Sequence, residues 1–195
     1  DPIRAIYSRR ADHIMQIGEE APTAQPDLRP GQIVIKDLDG YVRDENGNPK
    51  VDENGRFMLL GRPDGIIDEA DTELIGTLDP GWMASMTNTF KYKGFDLNIM
   101  FNGMFDRIMQ DPTEMDFGVN GGGIAQSGYN MLRTIKDRWT FDNPSTTRPS
   151  SYYITGTNYT AGDFFYQKAW FIRLQNISLG YTLPKSLLAK TKVLS

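Results

Sequence analysis

The stretch Trp82–Phe105, WMASMTNTFKYKGFDLNIMFNGMF, decides the fold of this chain. Its two segments, 82–90 and 95–105, alternate apolar and polar side chains on either side of a polar break at 91–94. In the second segment the apolar set is Phe95, Leu97, Ile99, Phe101 and Phe105, and the opposite set is Asp96, Asn98, Met100 and Asn102. Strict alternation puts the two sets on opposite faces and predicts a β-hairpin. Each segment has about the 9–11 residues that a tilted strand needs to cross a bilayer.

The hairpin by itself fits two environments. An apolar outside with a polar inside suits a membrane barrel with a wet lumen, but a half-buried strand of a soluble sandwich alternates in the same way. The connections separate the two. The break at 91–94 is short, whereas the long stretch 106–167 precedes the next clear strand at 168–183, and a short connector follows Pro184. Short turns at one end and long loops at the other are typical of outer-membrane barrels, so the sequence predicts an antiparallel transmembrane β-barrel.

Composition excludes several other classes of protein. The 195 residues carry a net charge of −4, so no basic footprint for nucleic acid is present. The absence of cysteine excludes disulfides and thiolate metal sites. No apolar run reaches the roughly 18 residues of a transmembrane helix. Because the chain opens at Asp1-Pro2 and stops where the pattern predicts the start of another strand, we expect it to be part of a longer protein.

The pattern divides the chain into five predicted regions. These are an extracellular loop region over 1–81 that contains an acidic loop at 37–71, a transmembrane hairpin over 82–105 with a periplasmic turn at 91–94, a long extracellular loop over 106–167, a transmembrane strand over 168–183, and a periplasmic turn with the start of another strand over 184–195. Tyr129, Leu132, Ile135 and Trp139 recur at helical spacing, which predicts a short amphipathic helix over 128–139. The alternation in 168–183 changes phase, and a β-bulge near 175–176 would reconcile its halves.

Five motifs occur in a fixed order along the chain. They are the acidic loop Asp37–Asp71, Ile75-Gly76 with Pro80, the FKYKGFDL stretch Phe90–Leu97, the RWT…NPS…P stretch Arg138–Pro149, and the final strand Phe171–Pro184. In this order and spacing the chain resembles the C-terminal part of SusC/RagA-type TonB-dependent outer-membrane transporters of Bacteroidota.

The resemblance implies the rest of a transport system. Such transporters have a barrel of roughly 22 strands with an N-terminal plug, are energised by TonB, and are capped by a SusD-like surface lipoprotein. They import oligosaccharides or peptides through the outer membrane and catalyse no covalent reaction. The alternative is a soluble extracellular β-domain that binds calcium and carbohydrate. That alternative would explain the acidic loop and the loop tyrosines, but not the alternating connections or the ordered motifs.

The acidic loop is a candidate calcium site. Calcium takes about six to eight oxygen ligands, and an EF-hand loop supplies them at fixed positions. The candidates are the side chains of Asp37, Asp39, Asp64, Asp68 and Asp71 with the carbonyl of Ile66. Two departures weaken the match: the insertion Gly40–Pro63, which we expect to form a hairpin that leaves and returns, and Asp in place of the final Glu. The alternative is a solvated turn whose carboxylates cap the backbone.

Two further sets of residues have predicted positions in a barrel. Trp82, Phe90, Tyr92, Phe105, Trp170 and Tyr181 are expected to form aromatic girdles at the two membrane interfaces. Asp96, Asn98 and Asn102 are expected to face the lumen. The loop residues Tyr152, Tyr153 and Tyr159 fit two roles equally well, as part of a girdle or as a platform on which sugar rings stack. His13 is the only histidine, and no nucleophile motif accompanies it, so the sequence predicts no catalytic triad.

Overall fold

The computed structural model describes residues 2–119, 128–151 and 162–188. The chain divides into two compact units, which we call the loop unit (Asp1–Gly76 and Met109–Gln167) and the sheet unit (Thr77–Ile108 and Lys168–Ser195). The strands are β1 (Ala5–Ser8), β2 (Ala11–Ile14), β3 (Ile33–Ile35), β4 (Glu73–Thr77), β5 (Trp82–Tyr92), β6 (Phe95–Phe105), β7 (Ile108–Gln110), β8 (Tyr166–Lys168) and β9 (Phe171–Tyr181), followed by the short helix α1 (Lys185–Leu188). No helix within the described ranges has the length and apolar character needed to span a membrane.

The sheet unit is a three-stranded antiparallel sheet in the order β5-β6-β9. The predicted hairpin is confirmed, with Trp82 paired to Phe105 at one end and Tyr92 paired to Phe95 at the other. The prediction of a turn over 91–94 is wrong in length, because β5 continues through Tyr92. Lys93 and Gly94 alone reverse the chain, with φ of 46° and 88°. Two consecutive residues at positive φ form the tight turn whose twist matches that of the flanking strands.

The strand predicted over 168–183 is shorter in the structure. The extended stretch is interrupted at 169–170, so that β8 pairs with β7 and only β9 joins the main sheet. The predicted bulge is confirmed: Met100 pairs with Asn176 and Phe101 pairs with Leu174, which leaves Gln175 as the extra residue. One extra residue reverses the alternation along a strand, and for this reason the apolar residues on both sides of Gln175 share a face.

The sheet has one continuous apolar face. Across β6 and β9 the same-face pairs are Phe95–Tyr181, Leu97–Leu179, Ile99–Ile177 and Phe101–Leu174. On β9 the side chains of Ile172, Ile177 and Leu179 are 62%, 60% and 70% exposed. A soluble sheet normally packs such a face onto a core. In the sheet unit this face is instead open.

The buried core lies in the loop unit. β2 and β3 pair antiparallel, and their side chains join two small clusters of buried residues. One cluster is Ile33, Ile35 and Phe165, and the other is Met15, Leu28 and Val34. Gln25 is buried as well, and its side-chain oxygen accepts a hydrogen bond of 2.8 Å from the Ile35 amide. The region predicted as loops is therefore a compact unit with its own core.

The helix predicted over 128–139 is wrong. Only Arg133–Asp137 is helical, and it forms a 3₁₀ turn with no side-chain cap. The amide of Leu132 donates to the Phe117 carbonyl at 2.9 Å, and the Trp139 amide donates to the Arg148 carbonyl at 3.0 Å. The backbone amides at both ends of the segment thus donate to residues far away in the chain. They are not available for the hydrogen bonds of an α-helix, so a helix cannot extend through Leu132 and Trp139. The apolar spacing reflects burial, since Trp139 is only 4% exposed.

Two other predictions concern residues that lie partly or wholly outside the described part of the chain. The connector after Pro184 contains the helical turn α1, and the further strand predicted in 184–195 falls on residues 189–195, outside the described part of the chain. The loop tyrosines Tyr152, Tyr153 and Tyr159 also lie outside it.

Gly103 gives a test of packing at one end of the sheet. A Cβ built at Gly103 would lie 2.7 Å from the Phe105 ring and 3.1 Å from the Phe171 carbonyl oxygen. The ring cannot easily move, because it stacks on Trp82 with 3.8 Å between the ring centroids. We expect Gly103→Ala to destabilise the sheet by about 1–3 kcal/mol, as overpacking does. The measurement is unfolding of the purified full-length protein in detergent, followed on a heat-modifiability gel.

Gly180 supplies the matched control for this experiment. It lies on the neighbouring strand, where a Cβ would meet its nearest atom, Asp96 Cβ, at 3.8 Å. Gly180→Ala should therefore unfold at the wild-type temperature. Equal effects of the two substitutions would contradict the packing described for Gly103.

Candidate functional site

The carboxylates of the acidic loop bind backbone amides. Asp37 Oδ2 accepts a hydrogen bond of 2.7 Å from Gly65, which joins the two halves of the predicted loop. Asp39 Oδ1 accepts from Gly40 at 2.8 Å and from Gly61 at 2.7 Å. These two carboxylates therefore close the base of the insertion, as Asp side chains commonly do in turns.

Asp71 is the centre of the loop. It is fully buried, and its Oδ1 accepts from the Leu38 amide at 2.7 Å while its Oδ2 accepts from the Asp68 amide at 2.8 Å. Asp68 Oδ1 in turn accepts a hydrogen bond of 2.8 Å from the Ala70 amide. This reciprocal pair caps the 3₁₀ turn Glu69–Asp71. Because a charged acceptor strengthens each bond, the buried charge of Asp71 is compensated by backbone donors.

The insertion Gly40–Pro63 brings a cation into the loop. It leaves and returns as expected, through backbone pairs that include Tyr41–Leu59 and Val51–Phe57. Near its start, Arg43 Nη2 lies 2.8 Å from Asp68 Oδ2 and 3.9 Å from Asp64 Oδ2. The guanidinium thus supplies positive charge at the place where the calcium prediction puts an ion.

Calcium binding at this loop stays a prediction. The structure brings Asp37, Asp39, Asp64, Asp68 and Asp71 into one region of the loop unit, and it places the exposed Ile66 beside Asp64, whose Oδ1 accepts the Ile66 amide at 3.0 Å. Among the described residues, no group of three or more His, Cys, Asp or Glu side chains is arranged so that it could hold a metal ion.

The predicted lumen residues share the polar face of the sheet and contact polar partners across strands. Asp96 Oδ1 lies 3.5 Å from Lys91 Nζ, and Asn98 donates to Thr89 Oγ1 at 3.3 Å. At the other end, Asn102 accepts from Arg173 Nε at 2.9 Å and donates to the bulge residue Gln175 at 3.4 Å. Polar contacts between strands therefore occur at both ends of this face.

The predicted girdle aromatics lie at two levels of the sheet. Trp82 stacks on Phe105, and Phe105 is followed by Trp170 at 6.4 Å between ring centroids. At the opposite end Tyr181 contacts Phe95, with ring centroids 4.5 Å apart. Phe90 and Tyr92 belong to this second level, next to the Lys93-Gly94 turn, and are 57% and 69% exposed.

His13 has carboxylates on both sides. Its Nδ1 lies 2.9 Å from Asp12 Oδ2, and its Nε2 is 2.5 Å from Glu19 Oε1. The hydrogen bond with Asp12 raises the pKa of His13 above its ordinary value of 6.5, and Glu19 adds to this effect. Two neighbouring carboxylates stabilise the charged imidazolium form of a histidine. His13 is therefore suited to an ion pair at the surface.

Sequence reasoning missed a cavity in the loop unit. We call it the Trp139 pocket; its volume is about 460 Å³, and Arg29, Arg138, Trp139 and Phe141 are among the residues that line it. The signal in the sequence is the RWT motif, whose tryptophan lies in the segment that the spacing predicts as a helix. The pocket forms because residues far apart in the chain meet, and no local pattern reports that.

Known proteins resemble this chain in sequence and in structure. It is 27% identical over 194 residues to TonB-dependent receptor P3 of Formosa agariphila, which covers 98% of this chain and 16% of that receptor. It is 26% identical over 133 residues to TonB-dependent receptor P26 of the same organism, which covers 68% of this chain and 12% of that receptor. The chain matches none of the protein-family models.

The chain is similar in sequence to TonB-dependent receptors. A solved structure of the RagAB peptide transporter has a similar fold, with a TM-score of 0.60 and 18% identity over 97% of this chain and 17% of that one. The resemblance to SusC/RagA-type transporters is thereby confirmed, as is the prediction of an all-β antiparallel fold. The chain spans 16% of the length of TonB-dependent receptor P3.

Asp71 gives a test of how the acidic loop is held together. Asp71→Asn removes a charged acceptor from three backbone amides, those of Leu38, Asp39 and Asp68, and hydrogen bonds to charged groups contribute about 1.5–3 kcal/mol. We expect faster hydrogen exchange at the amides of Leu38 and Asp68 in the full-length protein, because the loop opens more often. Unchanged protection at both amides would contradict the role given to Asp71.

Glu53→Gln is the control for that test. Glu53 is exposed at the tip of the insertion, so the substitution removes one negative charge from the same loop without touching its base. Protection at Leu38 and Asp68 should stay at the wild-type level in this variant. The comparison separates loss of a buried acceptor from a general change in charge.

Proposed function

We propose that this chain forms part of an outer-membrane β-barrel that imports nutrients by TonB-dependent active transport. One observation carries the proposal: the sheet β5-β6-β9 has an open apolar face and, on its other side, a face of linked polar groups. In lipid every backbone polar group must be paired between strands, and the side chains that face the acyl chains must be apolar. The sequence similarity to TonB-dependent receptors supports TonB as the source of energy for transport.

The two faces and the two ends of the sheet receive roles in this proposal. The apolar face contacts lipid, and the aromatics at its ends form the interface girdles. The face of Asp96, Asn98 and Asn102 lines the lumen or contacts the plug. The two-residue turn at Lys93-Gly94 lies in the periplasm, because outer-membrane barrels have short turns there, and the loop unit lies outside the cell.

The whole transporter is proposed to act with other components. Its barrel has roughly 22 strands, as large outer-membrane transporters do. We propose a SusD-like surface lipoprotein as its lid, TonB as its energy-coupling partner, and oligosaccharides or peptides as its substrates. RagAB, whose fold is similar, is a peptide transporter. The protein moves a substrate and performs no covalent chemistry.

A soluble calcium- and carbohydrate-binding domain is the competing proposal. It would have to leave side chains such as Leu179, which is 70% exposed, in contact with water over a whole sheet face. It would also need a cation site in a loop whose carboxylates already bind backbone amides and Arg43. Both features favour the transporter.

Neighbouring residues on β9 offer a test of the membrane environment. Ile177 is on the apolar face and opposite Ile99 at mid-strand, whereas Ser178 is on the polar face. A lysine on the lipid face at mid-membrane costs about 2–4 kcal/mol, but one that points into the lumen stays hydrated. We expect Ile177→Lys to reduce the amount of folded protein in the outer membrane severalfold and Ser178→Lys to leave it unchanged.

The soluble alternative predicts another outcome. Ile177 is already 60% exposed, so in water both lysines would be tolerated equally. The measurement is the heat-modifiable band in outer-membrane and soluble fractions of cells that express the full-length protein. Equal recovery of both variants, or recovery of folded protein without detergent, would overturn the membrane assignment.

Transport itself is tested by uptake in cells with and without TonB. The expected result is accumulation of a labelled oligosaccharide or peptide that requires both this protein and TonB, with binding at the cell surface retained when TonB is absent. Uptake that continues at the same rate without TonB would contradict active import.

A further inference from the structure

We infer that the Trp139 pocket binds the anionic group of an acidic oligosaccharide. The inference rests on the proposed function and makes it more specific, because it names the substrate class and a subsite in the extracellular loop unit. The residues that carry it are Arg29 and Arg138, which supply charge, Trp139 and Phe141, which supply aromatic surface, and Thr140 and Ser151, which supply hydroxyl groups. The volume of about 460 Å³ lies in the usual range for ligand pockets.

The floor of the pocket is held in place before any ligand arrives. Trp139 lies directly against Gly31, where a Cβ would come within about 2.5 Å of the indole ring. The Trp139 indole donates to Gln16 Oε1 at 3.4 Å, and the Ser150 amide donates to the Gly31 carbonyl at 2.7 Å. Contacts between such distant parts of the chain fix the ring, so binding would cost little conformational entropy.

The charge of the pocket is opposite to that of the chain. The net charge of the chain is −4, yet both ionisable side chains among the lining residues are arginines, and none is acidic. Arg138 donates from Nη1 to the Ile135 carbonyl at 2.9 Å, and no carboxylate in the described part of the chain forms an ion pair with it. A guanidinium with further donors matches the planar geometry of a carboxylate.

The aromatic surface and the hydroxyl groups favour a sugar over a peptide. Phe141 is 74% exposed and is held edge-on to Trp139, with 5.1 Å between the ring centroids. An open ring face can pack against the apolar face of a sugar ring, as aromatic side chains do with other apolar surfaces. Ser151 Oγ is buried and has no hydrogen-bond partner among the described residues. One common mode of peptide recognition pairs the peptide backbone with an exposed strand edge, and this pocket presents side chains instead.

Calorimetric titration of the purified full-length transporter in detergent tests the inference. The probes are an oligogalacturonate, the neutral galacto-oligosaccharide of the same length, and an acidic peptide of the same charge. We expect the oligogalacturonate to bind most tightly. Arg138→Gln should weaken its binding at least tenfold, roughly the contribution of a hydrogen bond to a charged group. Phe141→Ala should weaken it as well, and because Phe141 is exposed this second variant is expected to fold.

Arg133→Gln is the matched control. Arg133 is an exposed residue of the adjacent 3₁₀ turn and does not line the pocket. The substitution removes the same charge from nearly the same place, so it corrects for long-range electrostatics. Its affinity for the oligogalacturonate should equal that of the wild type.

Each other outcome contradicts the inference in a defined way. Equal binding of the neutral sugar would show that charge is not recognised, and tighter binding of the acidic peptide would show that the substrate class is wrong. Absence of binding, or binding that Arg138→Gln and Phe141→Ala both leave unchanged, would remove the pocket as a subsite. The proposed function would survive these results if TonB-dependent uptake persisted, and it would fail separately if uptake did not need TonB.

Discussion

Backbone pairing between β5, β6 and β9 is the constraint on which the sheet unit depends. Once the register joins Trp82 to Phe105 and Phe95 to Tyr181, every side chain of the three strands is assigned to one of two faces. The bulge at Gln175 preserves this assignment where the sequence of β9 changes phase. Without the bulge, the apolar residues on one side of it would share a face with Asn98 and Asn102. One extra residue thus keeps the sheet amphipathic over its full length.

The loop unit is stabilised by a different balance of forces. Its described residues form two small clusters of buried apolar side chains, so hydrogen bonds to charged groups contribute more to its stability. Asp71 binds the amides of residues that approach it from both halves of the acidic loop, and Arg43 and Arg9 contact Asp68 from outside the turn. The same residue types that suit a calcium loop also suit this role, because a carboxylate accepts backbone N–H groups as readily as it binds a cation. For this reason, a match to the residue spacing of a calcium loop is weak evidence for metal binding when it stands alone.

The RWT motif shows how local patterns and tertiary contacts differ in what they report. The spacing of Leu132, Ile135 and Trp139 correctly indicates residues that turn toward the interior, since the first two are partly buried and Trp139 is buried. It does not indicate a helix, because the backbone donors at both ends bind Phe117 and Arg148 instead. The pocket beside Trp139 exists only because Gly31 and Ser150 lie against the ring.

The sequence by itself determined the hairpin β5-β6, the two faces of the sheet and the bulge in β9, because each depends on residues close together in the chain. Alternation with period two is a local property, and it identified β5 and β6 to within two residues. Only the tertiary structure decided how the carboxylates of the acidic loop are used, how Trp139 is buried, and that Arg138 and Phe141 share a cavity. These features arise where segments far apart in sequence meet, and the positions of such meetings depend on packing and hydrogen-bond satisfaction that no local pattern contains.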